Sequence, residues 1–466
     1  MKRPLKNLLA LAAGDLGSRL LGFLINVYLA RVLLPSAFGV MNIGLSVLGY
    51  LALVASPGMQ VLEARNSALV AGADEQRVNS VLSLRLVLAL GCVVVTGIAS
   101  LLLISPAEVR ESVILFALCL LPMAMFLDWF FQGKEQFTTL SIAKLITYGC
   151  YGIIVLLFVH SKDDIVWIPL GLTAGYTLAT LFLFGAFRRF GAFAFVWRPD
   201  EWRRILAGSV PVGVASFLAQ SAINLPPLAL GWFVATAQAG VFSAALKVVF
   251  AMLMLDRLLN ALLLPVLTRY ASAKREELSF LLSVVVKSVL ALTLPLTVGS
   301  ALLAAPIITV IFGSSYGDAA VLLQILMGYF LFTVLNSVCV CTLIAFQKEK
   351  EYTSALNTGS LVLVTGILAG TLLGEAQGAA LGVVLGEGVT LALMVVRANA
   401  TIRLPLLRLL LAPLGATLAM GAVVLALREQ PAALQALLGI IAFIMIMIVT
   451  RGIDAREIQF LRERLV

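Results

Sequence analysis

The chain has 466 residues, of which 61% are apolar and 12% are Asp, Glu, Lys or Arg. Soluble domains are about 45–50% apolar and about 25% charged, so these charges are too few to cover the surface of a water-soluble protein. A soluble enzyme, a disordered chain and a disulfide-stapled secreted domain are therefore excluded. The composition predicts an all-α polytopic membrane protein.

The polar residues of the chain give no sign of catalytic or metal chemistry. The five cysteines lie in apolar stretches without metal-ligand spacing, and the single histidine, His160, lies in a short polar loop. We therefore expect no metal, no cofactor and no enzymatic activity. The net charge of +9 is interpreted below as membrane topology, so nucleic-acid binding is not expected.

About 20 mostly apolar residues are needed for a helix to cross the hydrocarbon core of a bilayer. This criterion gives fourteen predicted spans. They cover residues 7–32, 37–60, 78–104, 107–131, 139–159, 166–187, 204–232, 237–266, 281–312, 318–346, 355–373, 377–400, 407–427 and 432–450.

The distribution of basic residues predicts the orientation of these spans. With the N-terminus in the cytoplasm, the inner loops and tails hold 23 Lys and Arg residues, and the outer loops hold only Arg31, Arg110, Lys162 and Arg428. Cytoplasmic loops of membrane proteins carry such an excess. Since fourteen is an even number, both termini are predicted to be cytoplasmic.

Two pairs of segments indicate an internal repeat. PSAFGVMNIGLSV from Pro35 matches TAQAGVFSAALKV from Thr236, and FQGKEQFTT from Phe131 matches FQKEKEYTS from Phe346. Both pairs relate one span to the span six further on, which predicts two parallel six-helix bundles around a cavity, with two helices added. The predicted divisions are 1–195 for spans one to six, 196–403 for spans seven to twelve, and 404–466 for the last two spans and the tail.

Charged residues inside spans are costly unless they are paired or face water, so they are candidate site residues. Span one carries Asp15 and Arg19 one turn apart, with Gly22 and Asn26 further along the same face. This stripe is predicted to line the cavity. The alternative is a purely structural ion pair that packs the helix against its neighbour.

Spans eight and twelve carry the other candidates. Lys247 and Arg257 in span eight are predicted to be cavity cations, with Asp256 bracing a neighbouring span, although Arg257 could instead reach towards the cytoplasm. Glu387 lies in the middle of its span between two glycines. It is either a proton or sodium site or the partner of a cation on another span.

Four further charged residues lie near the ends of spans. Asp128 stands beside Trp129, Phe130 and Phe131 and is interpreted as part of an interfacial belt. Basic residues within two turns of predicted cytoplasmic ends are expected to reach out of the membrane; these are Arg85, Lys144 and Lys287.

The predicted cavity therefore carries more positive than negative charge. Arginine binds phosphate through two parallel hydrogen bonds, so an anionic, phosphate-bearing substrate is predicted, with Arg19, Lys247, Arg257 and Asn26 as the residues that bind it. An exporter of cationic drugs would need the opposite balance of charge.

Several segments resemble one known family. GSRLLGFLINVYLARVLLPSAFGV from Gly17, the stretch AGVFSAALKVVFAMLMLDRLLNALLLPVLTRYASA from Ala239, FGSSYGDAAVLLQILMGYFLFTVLNSV from Phe312 and GEAQGAALGVVLGEG from Gly374 are similar to polysaccharide-biosynthesis, O-antigen-type flippases. These belong to the multidrug/oligosaccharidyl-lipid/polysaccharide (MOP) superfamily. The resemblance covers most of residues 1–400.

The resemblance implies a function. Such a protein moves undecaprenyl-pyrophosphate-linked oligosaccharide to the outer leaflet of the bacterial cytoplasmic membrane, for lipopolysaccharide or exopolysaccharide synthesis. It implies membrane lipid and the polysaccharide polymerase machinery as partners, and coupling to a proton or sodium gradient, for which Glu387, Asp15 and Asp256 are the available carboxylates. A related peptidoglycan-precursor flippase family uses arginines of spans one and eight, which correspond to Arg19 and Arg257.

Two alternatives remain at this stage. A multidrug and toxin extruder of the same superfamily is disfavoured by the cationic cavity. A membrane-embedded polymerase or ligase is disfavoured by the short outer loops, because such enzymes generally carry their catalytic residues in large ones.

Overall fold

A computed structural model describes residues 2–69, 75–270, 275–401 and 406–450. It describes no side chains for residues 2–16, 258, 261, 262, 265, 269, 270, 275–277, 401 and 406–408. In the described ranges the chain is helical and contains no strand. The helices are α1 (Lys2–Ala55), α2 (Met59–Leu69), α3 (Glu75–Leu103), α4 (Ala107–Leu118), α5 (Leu120–Ala124), α6 (Asp128–Gly133), α7 (Phe137–Phe158), α8 (Trp167–Phe187), α9 (Pro199–Ala219), α10 (Ser221–Phe233), α11 (Thr236–Met252), α12 (Met254–Tyr270), α13 (Arg275–Leu302), α14 (Ala304–Phe312), α15 (Ala319–Ala345), α16 (Glu349–Thr401), α17 (Leu406–Ala426) and α18 (Ala432–Val449).

The predicted class, a polytopic α-helical membrane protein, is confirmed. In the described ranges, eleven helical stretches are long and apolar enough to cross a membrane, or twelve if α9 and α10, which are bent by 60°, form one span. Two of these stretches, α1 and α16, contain 54 and 53 residues. At 1.5 Å per residue each is about 80 Å long, more than twice the hydrocarbon thickness of about 30 Å.

Both long helices are broken near the middle. Leu34 interrupts α1 with φ of 60°, and Gly374 and Glu375 interrupt α16. These breaks fall at the predicted loops 33–36 and 374–376. Dividing each helix at its break turns twelve spans into fourteen, the predicted number. The total of fourteen and the cytoplasmic position of the termini stay predictions.

Some predicted spans are interrupted helices. Residues 107–131 form α4, α5 and most of α6, and residues 281–312 lie in α13 and α14. Pro122 in α5 and Pro306 in α14 lack the N–H of a helical residue and crowd the carbonyl four residues earlier. The break between α11 and α12 at Leu253 contains neither proline nor glycine, and the sequence offers no cause for it.

The chain divides into two compact units, Met1–Ser243 and Ala244–Val466. The first unit includes α9 and α10 because α10 packs against the second half of α1. There the Tyr50 hydroxyl donates a hydrogen bond of 3.3 Å to Ser221 Oγ. In the second unit, α15 packs against α12, α13 and α16. The predicted divisions 1–195, 196–403 and 404–466 stay predictions.

Two similar turns support the internal repeat. Glu135 and Gln347 both have left-handed backbone conformations, with φ of 54° and 57°. In each turn the next residue donates its N–H to the carbonyl five residues back, from Gln136 to Phe131 and from Lys348 to Leu343, at 2.9 Å. The turns are 212 residues apart, whereas the matched sequences begin 215 residues apart, at Phe131 and Phe346. The alignment by identical residues is therefore three residues out of register with the alignment by structure.

The other matched pair of segments meets in space within the first unit. A Cβ atom added to Gly39 would lie 1.8 Å from the carbonyl oxygen of Thr236, and one added to Gly240 would lie 2.0 Å from that of Pro35. Each glycine of the pair therefore touches the carbonyl four residues before the other glycine. Side chains at either position would separate α1 from α11.

The connection between α8 and α9 is an extended segment, residues 191–198, held along α3. Glu75 Oε1 accepts a hydrogen bond of 2.8 Å from the backbone N–H of Ala192, whose carbonyl accepts one of 3.1 Å from Asn79. Ser83 Oγ accepts one of 3.0 Å from the N–H of Val196. Positions 75, 79 and 83 are one helical turn apart and lie on one face of α3.

Candidate functional site: a cationic cavity in the first unit

The first unit contains a cavity of about 460 Å³. Its lining comes from α1, α2, α3, α5, α6, α7 and α8, from Ser56 and Phe126 in the connections between helices, and from Gln220 between α9 and α10. The polar lining residues are Ser18, Arg19, Ser56, Gln60, Arg85, Asp128, Lys144, Thr147, Tyr148, Tyr176 and Gln220. Among the described residues that line it, three carry positive charge and one carries negative charge. The described part of the lining therefore carries a net positive charge.

Arg85 is positioned by the broken span that ends at α6. Its Nη1 and Nη2 atoms donate hydrogen bonds of 3.1 Å to the carbonyls of Phe126 and Met123. The regular helical bonding stops between α5 and α6, where the Met123 carbonyl also accepts the N–H of Phe126 at 3.2 Å. A cation at the end of a helix stabilises such carbonyls. Arg85 thus stabilises the interruption and supplies charge to the cavity.

Asp128 begins α6 and is the carboxylate of the cavity. It accepts a hydrogen bond from the side-chain amide of Gln60, which follows α1 on α2. Arg85 and Lys144 both lie within electrostatic range of this carboxylate. Asp128 therefore lowers the net charge of the cavity without neutralising it.

The remaining lining comes from α1, α7 and α8. Arg19 is half-buried on α1. Lys144 and Tyr148 are one turn apart on α7, and Tyr176 approaches from α8. Gly22 of α1 allows a close approach here, since a Cβ at that position would lie 3.4 Å from the Tyr148 ring. The small residue expected on the face of Arg19 thus accommodates an aromatic ring of the cavity.

Sequence reasoning missed three of the four charged residues of the cavity. Arg85 and Lys144 were expected to reach out of the membrane, and Asp128 was assigned to an interfacial belt. Arg85 instead is 7% exposed, because α3 begins at Glu75 and its position is about 15 Å along the helix. The available signals were an arginine two turns inside span three and a proline, Pro122, inside span four.

The structure places the other predicted binding residues elsewhere. Asn26 donates a hydrogen bond of 2.7 Å to the carbonyl of Gly22 on its own helix and does not line this cavity. Lys247 is half-buried on α11 and Arg257 is exposed on α12, both in the second unit. Asp15 lies in α1 but outside the residues whose side chains the structure describes.

The other two predicted coupling residues lie together in the second unit. Asp256 is in the first turn of α12 and Glu387 is in the second half of α16. They lie within electrostatic range of each other. The helix α15 packs against both α12 and α16.

The fold is similar to the folds of solved membrane transporters. The structure of a lipid II flippase MurJ in an inward closed conformation aligns with a TM-score of 0.77 at 16% identity, covering 95% of this chain and 98% of that one. A multidrug resistance MATE transporter of the MOP superfamily, inward-facing, aligns at 0.65 and 15%, covering 84% and 95%. A MOP transporter from Pyrococcus furiosus aligns at 0.54 and 15%, covering 86% and 94%. The fold is therefore that of MOP transporters.

The sequence assigns the chain to a family. Residues 5–271, more than half of the chain, match the family model for polysaccharide biosynthesis proteins. The chain belongs to this family, as the resemblance of its segments predicted. Comparison with curated proteins finds no match.

Proposed function

We propose that the protein is a flippase that moves undecaprenyl-pyrophosphate-linked oligosaccharide from the inner to the outer leaflet of the bacterial cytoplasmic membrane. The observation that supports it is the lining of the first-unit cavity, where Arg19, Arg85 and Lys144 stand against Asp128 alone among the described residues. An anionic headgroup matches this excess of positive charge.

The energetics of buried charge support a bound anion. A basic side chain at membrane depth costs several kcal/mol unless a partner or water compensates it. Arg85 and Lys144 lie within electrostatic range of Asp128, and a pyrophosphate group would add negative charge to a described lining that carries three cations. Arg19 is proposed to bind it through two parallel hydrogen bonds, a geometry that a lysine ammonium does not offer.

The headgroup and the tail of the proposed substrate would lie in different surroundings. The cavity would hold the pyrophosphate and the first sugars, and the polyprenyl tail would stay in the lipid. Transport then requires the cavity to open to each side in turn, which six-helix repeats accomplish by rocking. The proposal includes the glycan, which would belong to an O-antigen, a lipopolysaccharide or an exopolysaccharide. It also includes contact between this protein and the polysaccharide polymerase machinery.

Multidrug extrusion is the second candidate, since a MATE transporter shares the fold. The sign of the cavity charge opposes it, because a cationic drug would meet three cations. For the Pyrococcus furiosus transporter, a reverse polarity of the binding pocket is described as suggesting a different function. The same criterion favours an anionic substrate here.

Transport of a fluorescent lipid-linked oligosaccharide in proteoliposomes tests the proposal. Arg19→Ala should lower the rate by about 10- to 100-fold, because a hydrogen bond to a charged group is worth about 1.5–3 kcal/mol. Arg19→Lys should restore only part of the rate. The matched control is Arg188→Ala, an exposed arginine after α8 that should transport normally.

Two results would contradict the proposal. One is full transport by the Arg19→Ala and Arg85→Ala variants, since the cavity charge would then be irrelevant to the substrate. The other is export of cationic dyes by the wild-type protein without transport of the lipid-linked sugar, which would favour multidrug extrusion.

A further inference from the structure

A surface of aromatic and basic side chains lies where the extended segment 191–198 meets the start of α9. Phe195 and Trp197 of the segment are 52% and 65% exposed. Arg203 and Arg204 are exposed in the second turn of α9. All four residues belong to the first unit, and together they are called the aromatic-basic surface.

A contact between two tryptophans joins the two parts of this surface. The ring centroids of Trp197 and Trp202 are 4.7 Å apart, and the ring planes are inclined by 69°. Aromatic pairs favour such an edge-on arrangement. Trp202 is 6% exposed, and Arg203 and Arg204 follow it directly in the chain. The buried tryptophan therefore fixes the exposed one against the helical turn that carries two exposed cations.

Two other aromatic residues of the same connection point into the protein. The ring centroid of Phe190 lies 5.3 Å from that of Phe130, and the centroid of Phe193 lies 5.8 Å from that of Phe184. The connection thus has aromatic side chains on both of its sides. The two exposed rings, which the protein does not cover, gain free energy from an apolar environment outside it.

The backbone of the segment holds the exposed rings in place. The hydrogen bonds from the N–H groups of Ala192 and Val196 to side chains of α3 lie on either side of Phe195 in the chain. A surface that is ordered before it binds a partner loses less conformational freedom on binding. The attachment to α3 therefore favours a binding role for the exposed rings.

The two arginines of the surface are not neutralised by the protein. In the described part of the chain, neither Arg203 nor Arg204 has a hydrogen-bond or ion-pair partner. Two acids stand at the start of α9. Glu201 pairs with Arg198 at 3.5 Å, and the exposed Asp200 forms no ion pair with the two arginines among the described residues. The surface therefore keeps an excess of positive charge, which matches an anionic partner.

The position of the surface in the chain favours a membrane lipid as that partner. A candidate span ends with α8 at Phe187, and α9 begins the bent pair of helices that together can form another. The connection therefore lies at the border of the membrane, where tryptophan is enriched and basic residues attract the anionic lipids of the cytoplasmic leaflet. We propose that the aromatic-basic surface binds anionic phospholipid, with Arg203 and Arg204 on the headgroup phosphate and the rings of Phe195 and Trp197 against the first acyl carbons.

Photo-cross-linking of the full-length protein in phosphatidylcholine nanodiscs tests the proposal. One sample contains a small fraction of phosphatidylglycerol with a photoreactive acyl chain, and a parallel sample contains phosphatidylcholine with the same reactive chain. At low salt the anionic lipid should cross-link to peptides from residues 193–204 about 10- to 30-fold more than the neutral lipid, because each basic residue at a membrane surface strengthens anionic-lipid binding about fivefold. The preference should fall at 1 M salt, where the Debye length is about 3 Å.

Two variants separate the roles of charge and aromatic contact. The double variant Arg203→Gln with Arg204→Gln should bring the preference for the anionic lipid close to one. Trp197→Ala should lower the cross-linking of both lipids, an effect that binding of a free phosphate ion would not show. The matched controls are Arg428→Gln, an exposed arginine between α17 and α18, and Trp232→Ala, which removes a ring that is 64% exposed on α10. Both controls should cross-link as the wild type does, and unchanged melting temperatures should show that all variants are folded.

Three results would overturn the lipid-binding surface. Equal cross-linking of the two lipids would show a membrane border without a preference for anionic lipid. An anionic preference that persists in the double arginine variant would assign it to other residues. Cross-linking of neither lipid to residues 193–204 would show that the surface does not meet the membrane, and would favour an acidic protein as its partner. The assay contains no lipid-linked sugar, so its result is independent of whether the protein is a flippase.

Discussion

Replacing Gly39 or Gly240 by alanine should force α1 and α11 apart. The added Cβ would lie 1.8 Å or 2.0 Å from a backbone carbonyl oxygen. An ordinary contact is more than 3 Å long, so the helices must separate by about 1.5 Å. Overpacking of this kind costs about 1–3 kcal/mol, and the better helix propensity of alanine returns at most about 1 kcal/mol. Each single variant should therefore lose about 1–2 kcal/mol of unfolding free energy.

The double variant gives the sharper test. Because each glycine touches the segment that carries the other, one displacement makes room for both methyl groups. The cost of Gly39→Ala with Gly240→Ala should fall short of the sum of the single costs by about 1 kcal/mol, a coupling typical of residues in contact.

Unfolding by SDS in mixed micelles measures these free energies. The matched controls are Gly91→Ala and Gly97→Ala in α3, where an added Cβ would meet no atom within 4 Å. They should be neutral or slightly stabilising. Additive costs, or single variants as stable as the controls, would refute the reciprocal contact.

Two further outcomes follow from the described geometry. Glu63→Gln should destabilise the protein by about 1–2 kcal/mol in the same unfolding assay, because it weakens two hydrogen bonds of 2.8 Å from Arg77 to a carboxylate that is 4% exposed; an unchanged stability would contradict it. Cysteines introduced at 160–165 and 313–318 should react with an impermeant reagent added outside intact cells and those at 189–200 should not; the reverse pattern would invert the topology.

Helix positions could be predicted from the sequence because apolar length alone largely determines a membrane span. The breaks of α1 and α16 coincide with predicted loops, because a few polar residues were enough to mark these loops in the sequence. The sequence does not show where the breaks inside spans fall. Prolines are common in membrane helices, so Pro122 and Pro306 do not by themselves show where a helix ends.

The charged lining of the cavity was only partly predictable. Arg19 was found because it lies in the middle of an apolar helix. Arg85 and Lys144 were missed because a long basic side chain near a span end normally reaches water, and only the folded chain shows which carbonyls and carboxylates lie nearer. Glu387 was identified by its position, whereas Asn336, which donates a hydrogen bond of 2.6 Å to Glu387 Oε1, was not, because an asparagine in a membrane helix has no fixed partner in the sequence.

The extended segment 191–198 has a consequence for sequence variation. Three of its hydrogen bonds to α3 use its own backbone, so these three do not depend on its side chains. The constraint instead falls on Glu75, Asn79 and Ser83, which supply the contacts. Substitutions at exposed positions of the segment such as Ala194 and Phe195 should preserve these hydrogen bonds, whereas proline at Ala192 or Val196 would remove one of them. The attachment would thus be inherited through three positions of a helix more than a hundred residues away.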